Sequence, residues 1–140
     1  MEQNTDQIQL ALMGLGRWGT HLLRNFLAHP QIQVRAVIDP LAKQLAATAK
    51  KFNLDESVVL LTRWEDALEI AGLDAVAIAT PATTHEAIVT AALQRQLHVL
   101  CEKPLTLSTQ TSAALCTLAQ QQNQQLLIDH TYLFHPAVTE

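Results

Sequence analysis

Aromatic side chains make up 4% of this 140-residue chain, and Lys and Arg together number nine against thirteen Asp and Glu, a formal charge of −4. A nucleic-acid surface needs clustered cations and stacking rings, and the chain is poor in both. Cysteine is almost absent: Cys101 and Cys116 make no disulfide framework, and both read as small core residues, Cys101 ending a buried strand and Cys116 on the apolar side of a helix. No apolar run approaches the ~20 residues of a membrane span, and the polar start MEQNTDQ lacks the basic and apolar regions of a signal peptide. The expectation is a cytoplasmic protein with neither membrane nor nucleic acid as partner. Six histidines show no metal-ligand spacing, such as H-x-x-x-H beside an acid, so no metal site is expected. What remains, 49% hydrophobic and 16% charged, is the composition of one globular domain long enough to bury a core.

Glycine is scarce too, at four residues, yet Gly14, Gly16 and Gly19 fall together. Ile8, Leu10, Ala11, Leu12 and Met13 precede them almost without a polar interruption, as in a strand buried on both faces of a parallel sheet. Trp18, Leu22, Leu23, Phe26 and Leu27 follow at helical spacing. A G-x-G-x-x-G run at a strand-to-helix junction is the context of a dinucleotide motif. In that reading Gly14 permits the tight turn, Gly16 lets a pyrophosphate approach the backbone, and Gly19 lets the helix pack closely on the strand. The first-turn N–H groups, from Arg17 and Trp18 onward, and the helix dipole then hold the phosphates. A second strand, IQVRAVIDP, ends at Asp39, close to the ~20-residue interval expected before a ribose-binding acid. An Asp there accepts from both ribose hydroxyls and repels a 2′-phosphate, which favours NAD over NADP. The competing reading is an ordinary turn-forming Asp before Pro40.

Strand and helix signals alternate to the end. A helix is expected over Leu41 to Phe52, a strand over Val58 to Leu61, a short helix over Trp64 to Ile70 and a strand over Ala75 to Ala79. A helix over His85 to Arg95, a strand over His98 to Cys101, a helix over Ser108 to Gln122 and a strand over Leu126 to Asp129 complete the series. The pattern predicts an α/β, doubly wound parallel sheet of order 3-2-1-4-5-6. Its ligand edge lies beyond the carboxyl ends of the strands. There the fourth strand delivers Thr80, Pro81 and His85, with Thr84 as the expected helix N-cap, and the fifth delivers Glu102 and Lys103 before Pro104 stops it. Lys103 could donate to a substrate oxygen or, with its pKa lowered by desolvation, transfer a proton; an exposed loop lysine is the plain alternative. A histidine in a first helical turn, as His85 is, is often only a surface residue.

The segments GLGRWG, VIDP, ATPATTH and CEKPL, in this order and spacing, resemble the amino-terminal domain of the glucose–fructose oxidoreductase, inositol dehydrogenase and MocA family over nearly the whole chain. The resemblance implies an NAD(P)-dependent oxidoreductase acting on sugars, cyclitols or sugar nucleotides. It matches Lys103 to the lysine near the reacting carbon, with Glu102 and Pro104 flanking it and the Lys103–Pro104 peptide cis. It matches Thr80, Pro81 and His85 to the segment lining the nicotinamide side. It also implies a second α/β domain, which supplies substrate contacts, the usual catalytic histidine and the oligomer interface, beyond a boundary near residue 130. Residues 131–140 are then the start of the connection. Leu133 stands where many relatives carry arginine.

His130 and His135 lie near that boundary and are weighed as substitutes for the absent histidine, with a strand-end or surface role preferred. Three functions stay open at this point. The chain is the cofactor half of such an oxidoreductase, binding NAD without turnover by itself and exposing a normally covered surface around Tyr132, Leu133 and Phe134 that could drive homo-oligomers. Otherwise it is a stand-alone NAD-binding sensor or regulatory module, or a remnant that keeps the fold and binds nothing.

Overall fold

The computed structural model describes residues 6–130, 133 and 136–139. Six strands, β1 (Ile8–Met13), β2 (Ile32–Ile38), β3 (Val59–Leu61), β4 (Ala75–Ile78), β5 (His98–Glu102) and β6 (Leu126–Asp129), pair in parallel in the order β3-β2-β1-β4-β5-β6. Between and after them run α1 (Arg17–Ala28), α2 (Ala42–Phe52), α3 (Trp64–Ala67), α4 (His85–Gln94), α5 (Thr109–Gln121) and α6 (Pro136–Thr139). The doubly wound order read from the sequence is the observed one.

The near-continuous apolar character of β1 has a simple cause. Leu10 and Leu12 face one core, shared with Leu23 of α1 and Leu45 of α2, while Ala11 and Met13 face the other, shared with Ala67, Ile88 and Leu115 of α3, α4 and α5. Alternation is invisible in the sequence because neither face meets water. β2 adds an irregularity: its pairing with β1 passes from Leu10↔Val34 to Ala11↔Ala36, leaving Arg35 as an extra residue. That bulge shifts the parity, so Val34 and Val37 lie in the same core cluster despite an odd separation. Arg35 uses the irregularity to donate from Nη1 to Oε1 of Gln9 at 3.2 Å.

Two helix ends and one helix face differ from expectation. The helix starting at Trp64 keeps α-geometry only to Ala67, after which Leu68, Glu69 and Ile70 donate to Glu65, Asp66 and Ala67, the tighter three-residue spacing. Thr84 holds the expected N-cap position of α4, but its side chain caps nothing: the backbone is already helical there, after a 3-10 turn over Ala82–Thr84, and the Thr84 hydroxyl donates backward to Pro81 O at 2.6 Å and pairs with Thr80 Oγ1 at 2.7 Å. Cys116 is exposed, correcting its assignment to the apolar side of α5. Leu115 and Ala119 are the buried positions of that helix, and Cys116 is turned about 100° from Leu115 at 3.6 residues per turn. Ser108 caps α5 by accepting from Thr111 N at 3.3 Å.

A very close approach between backbones lies at the start of α1. A Cβ on Gly19 would stand 1.8 Å from the carbonyl oxygen of Gly14, whereas a Cβ on Gly16 would meet nothing within 4 Å. Gly19→Ala is therefore expected to destabilise the chain by roughly 3 kcal/mol, and Gly16→Ala by less than about 1 kcal/mol. Urea unfolding of the two variants checks this; equal midpoints would contradict the packing.

Candidate dinucleotide-binding site

At the end of β1 the chain turns at Gly14, whose φ is +93° and whose N–H donates to Ile38 O at 2.7 Å. A side chain there would collide with the next strand as well, its Cβ 2.5 Å from Ala79 O. Leu15, 1% exposed, plugs the loop into the core beneath. Its N–H donates to Asp39 Oδ2 at 3.0 Å, and its carbonyl accepts from Gln44 Nε2 at 3.0 Å and Thr20 Oγ1 at 3.3 Å. The glycine loop is thus held from β2, α1 and α2 at once.

Gly16 is the N-cap of α1, and no side chain caps that end. The N–H groups of any first helical turn lack partners within the helix, so this one keeps its capacity for an anion. Arg17 and Trp18 open the helix, both exposed, with the guanidinium 5.9 Å from the Trp18 ring centroid.

Asp39 follows the last residue of β2 and is 9% exposed. The turn-forming reading is met by Oδ1, which accepts from Leu41 N at 2.9 Å, while Oδ2 holds the glycine loop. Each carboxylate oxygen has two acceptor positions, so these bonds leave one on each for a ligand hydroxyl.

Thr80 is half-buried and Pro81 exposed at the end of β4. His85 is not a surface residue: it is 1% exposed, with ring nitrogens within bonding distance of backbone carbonyls of Thr80, Pro104 and Leu105. Its helical position suggested exposure because sequence spacing alone does not reveal that the loop after β5 folds over the start of α4. Lys103 is exposed and joined to Pro104 by a cis peptide.

Glu102, the last residue of β5, stands opposite Asp129 of β6 in the strand register. Burial pushes its carboxyl above the usual range, the hydrogen bond and charge of Asp129 push it further, and the Lys103 N–H and charge oppose the shift. Its Oε1 is buried without a hydrogen-bond partner among the described residues. Burial, and then the Glu102 charge, push the Cys101 thiol up to about 12, so it is inert as a nucleophile. His130, just past β6, is exposed. His135, Tyr132 and Phe134 lie outside the described residues, while Leu133 is 59% exposed.

Sequence reasoning missed Thr20, Gln44 and Asp129. The first two carry no motif signal, since they act through a backbone carbonyl. Asp129 ended a strand at the same edge as Glu102, and that juxtaposition was available.

The raised Glu102 value gives a sign for pH dependence. A fold that favours the protonated carboxyl draws stability from it fully below the ordinary value of 4.5 and loses it as pH rises through the raised value. Glu102→Gln, a mimic of the neutral form, is expected to be more stable than the wild type near pH 8, with the difference shrinking toward pH 4. Urea titrations at several pH values test this, and a constant difference would remove the proton from the explanation.

Residues 8–130 match the family model of the GFO_IDH_MocA oxidoreductases, described as an oxidoreductase family with an NAD-binding Rossmann fold. The chain is 33% identical over 131 residues to a UDP-N-acetylglucosamine 3-dehydrogenase of Acidithiobacillus ferrooxidans, covering 94% of this chain and 39% of the relative. It is 28% identical to the scyllo-inositol 2-dehydrogenase (NAD(+)) of Bacillus subtilis, covering 96% and 39%. The crystal structure of an NAD-binding protein from Listeria innocua superposes with a TM-score of 0.78 at 29% identity, over 88% of this chain and 35% of that one. The chain thus spans well under half of the relatives it matches. With the glycine loop, the strand order and the acid after β2 in place, the chain belongs to the GFO_IDH_MocA oxidoreductase family, and residues 8–130 are its NAD-binding Rossmann fold.

Proposed function

We propose that the chain is the cofactor-binding part of an oxidoreductase that passes hydride between a nicotinamide and a hydroxyl-bearing carbon of a sugar, cyclitol or sugar nucleotide. The observation that carries this is the contrast within the glycine loop. Gly14 and Gly19 have no room for a side chain because protein backbone fills it, whereas Gly16 borders open space at the uncapped start of α1. Packing explains the first two glycines and leaves the third to a ligand.

In this reading the N–H groups from Gly16 to Gly19 bind the pyrophosphate, with Arg17 and Trp18 flanking it. Asp39 accepts from the adenosine ribose through the acceptor positions its backbone bonds leave free, and its charge disfavours a 2′-phosphate, so NAD is preferred to NADP. Thr80, Pro81, Glu102 and Lys103 border the nicotinamide end. A bound nicotinamide supplies the hydride acceptor or donor. Lys103, exposed at the end of β5, orients the substrate oxygen and exchanges its proton.

His85 leaves the set of direct cofactor contacts, since its ring is buried. Residues 1–130 form the dinucleotide domain and residues 131–140 lead toward a substrate domain. The relatives named above support the substrate class, as one acts on a sugar nucleotide and the other on a cyclitol. A cytoplasmic location belongs to the same reading, supported by two cysteines that are both free.

Calorimetric titration of the 140-residue chain with NADH and NADPH tests the proposal. Saturable binding that prefers NADH, weakened at least about tenfold in Gly16→Val while the variant stays folded, is the expected result. A folded wild type that binds neither nucleotide would overturn it.

A further inference from the structure

The pairing of β4 with β5 ends at Ile78↔Cys101. Beyond that point the loop carrying Thr80 and the loop carrying Lys103 leave the ladder, and the His85 side chain lies between them. Nδ1 is 2.9 Å from Pro104 O and 3.1 Å from Leu105 O, and Nε2 is 2.9 Å from Thr80 O. The ring is 1% exposed, so water does not compete for either nitrogen.

All three neighbours are carbonyl oxygens, which only accept. A neutral imidazole offers one N–H and one lone pair and so satisfies only one side. The tie also continues past Thr80: the Ala79–Thr80 backbone is the surface that Gly14 packs against, leaving no space for a Cβ. The glycine loop, the end of β4, His85 and the segment after Lys103 therefore form one connected path.

We propose that His85 is a positioning residue which fills the gap between Thr80 and the Pro104–Leu105 segment, hydrogen-bonding within it, and so sets where Lys103 and the nicotinamide-side loops stand relative to the glycine loop. The role rests on the dinucleotide reading above and adds to it a residue that touches neither cofactor nor substrate.

The test separates the two halves of the nucleotide. ADP-ribose carries the adenosine, pyrophosphate and second ribose, and NADH adds the nicotinamide ring. His85→Phe keeps a ring of similar size and removes both ring nitrogens. The expected result is ADP-ribose affinity within about twofold of wild type, with the ratio of NADH to ADP-ribose affinity reduced about fivefold or more. A ring acting only as core filler would leave that ratio unchanged, and an unchanged ratio overturns the role. Should His85→Phe not fold, His85→Gln, which keeps one donor group, is read by the same ratio. Nitrogen-15 NMR of the wild-type ring supplies an independent readout: a ring N–H that is hydrogen-bonded and slow to exchange supports the role, and a ring that exchanges like a free imidazole overturns it. A wild type that binds neither nucleotide overturns the dinucleotide reading and the positioning role with it, whereas an unchanged ratio in a chain that binds NADH overturns the positioning role alone.

Discussion

The geometry of the ligand edge depends on how closely the first helix can approach the end of the first strand. Gly19 of α1 lies against the carbonyl of Gly14 with no room for one more carbon, and Gly14 lies in turn against the backbone at Ala79 and Thr80. Backbone-to-backbone packing of this kind leaves no flexible side chain to absorb an error. The start of α1 is thereby fixed against β1 and β4 together, and its first-turn N–H groups are aimed by the same contact. A helix set farther out would still cover the core, but its dipole would no longer act at the edge where the strands end.

Around that contact the polar groups serve the backbone before they serve any ligand. Asp39 spends one bond on Leu15 and one on Leu41, and Gln44 and Thr20 hold the Leu15 carbonyl. These bonds order the loop within the protein itself. Past the end of β4 the same holds for His85, whose ring occupies the space between two loops that the sheet itself no longer joins. Beside it, Glu102 and Asp129 place two carboxyls at the ends of neighbouring strands, where burial disfavours charge on Glu102 and Lys103 opposes that tendency.

Much of this was legible in the sequence, for identifiable reasons. The strand order followed from the alternation of apolar runs and helical periods, and the glycine cluster and Asp39 were found because their chemistry is local to one strand–turn–helix unit. Details failed where a particular side-chain contact, and not periodicity, decided. The turn at Thr84 became helical early because its hydroxyl found Pro81 and Thr80, and Cys116 was turned away from the core by one residue of helical rotation. The bulge at Arg35 left no trace in a strand whose two faces are both apolar.

What the sequence by itself determined is the class of fold, the position of the glycine turn and the set of residues delivered to one sheet edge. These follow from periodicity and from the fact that only glycine fits where backbones touch. What only the tertiary structure decided is what those residues do to one another. His85 sits in the interior between carbonyls, Glu102 faces Asp129, and Asp39, read from the sequence as a ribose-binding or turn-forming acid, also bonds the glycine loop. Each of these depends on contacts between segments distant in sequence. No local pattern records them, because a hydrogen bond to a remote carbonyl places no demand on the identity of the residue that carries it.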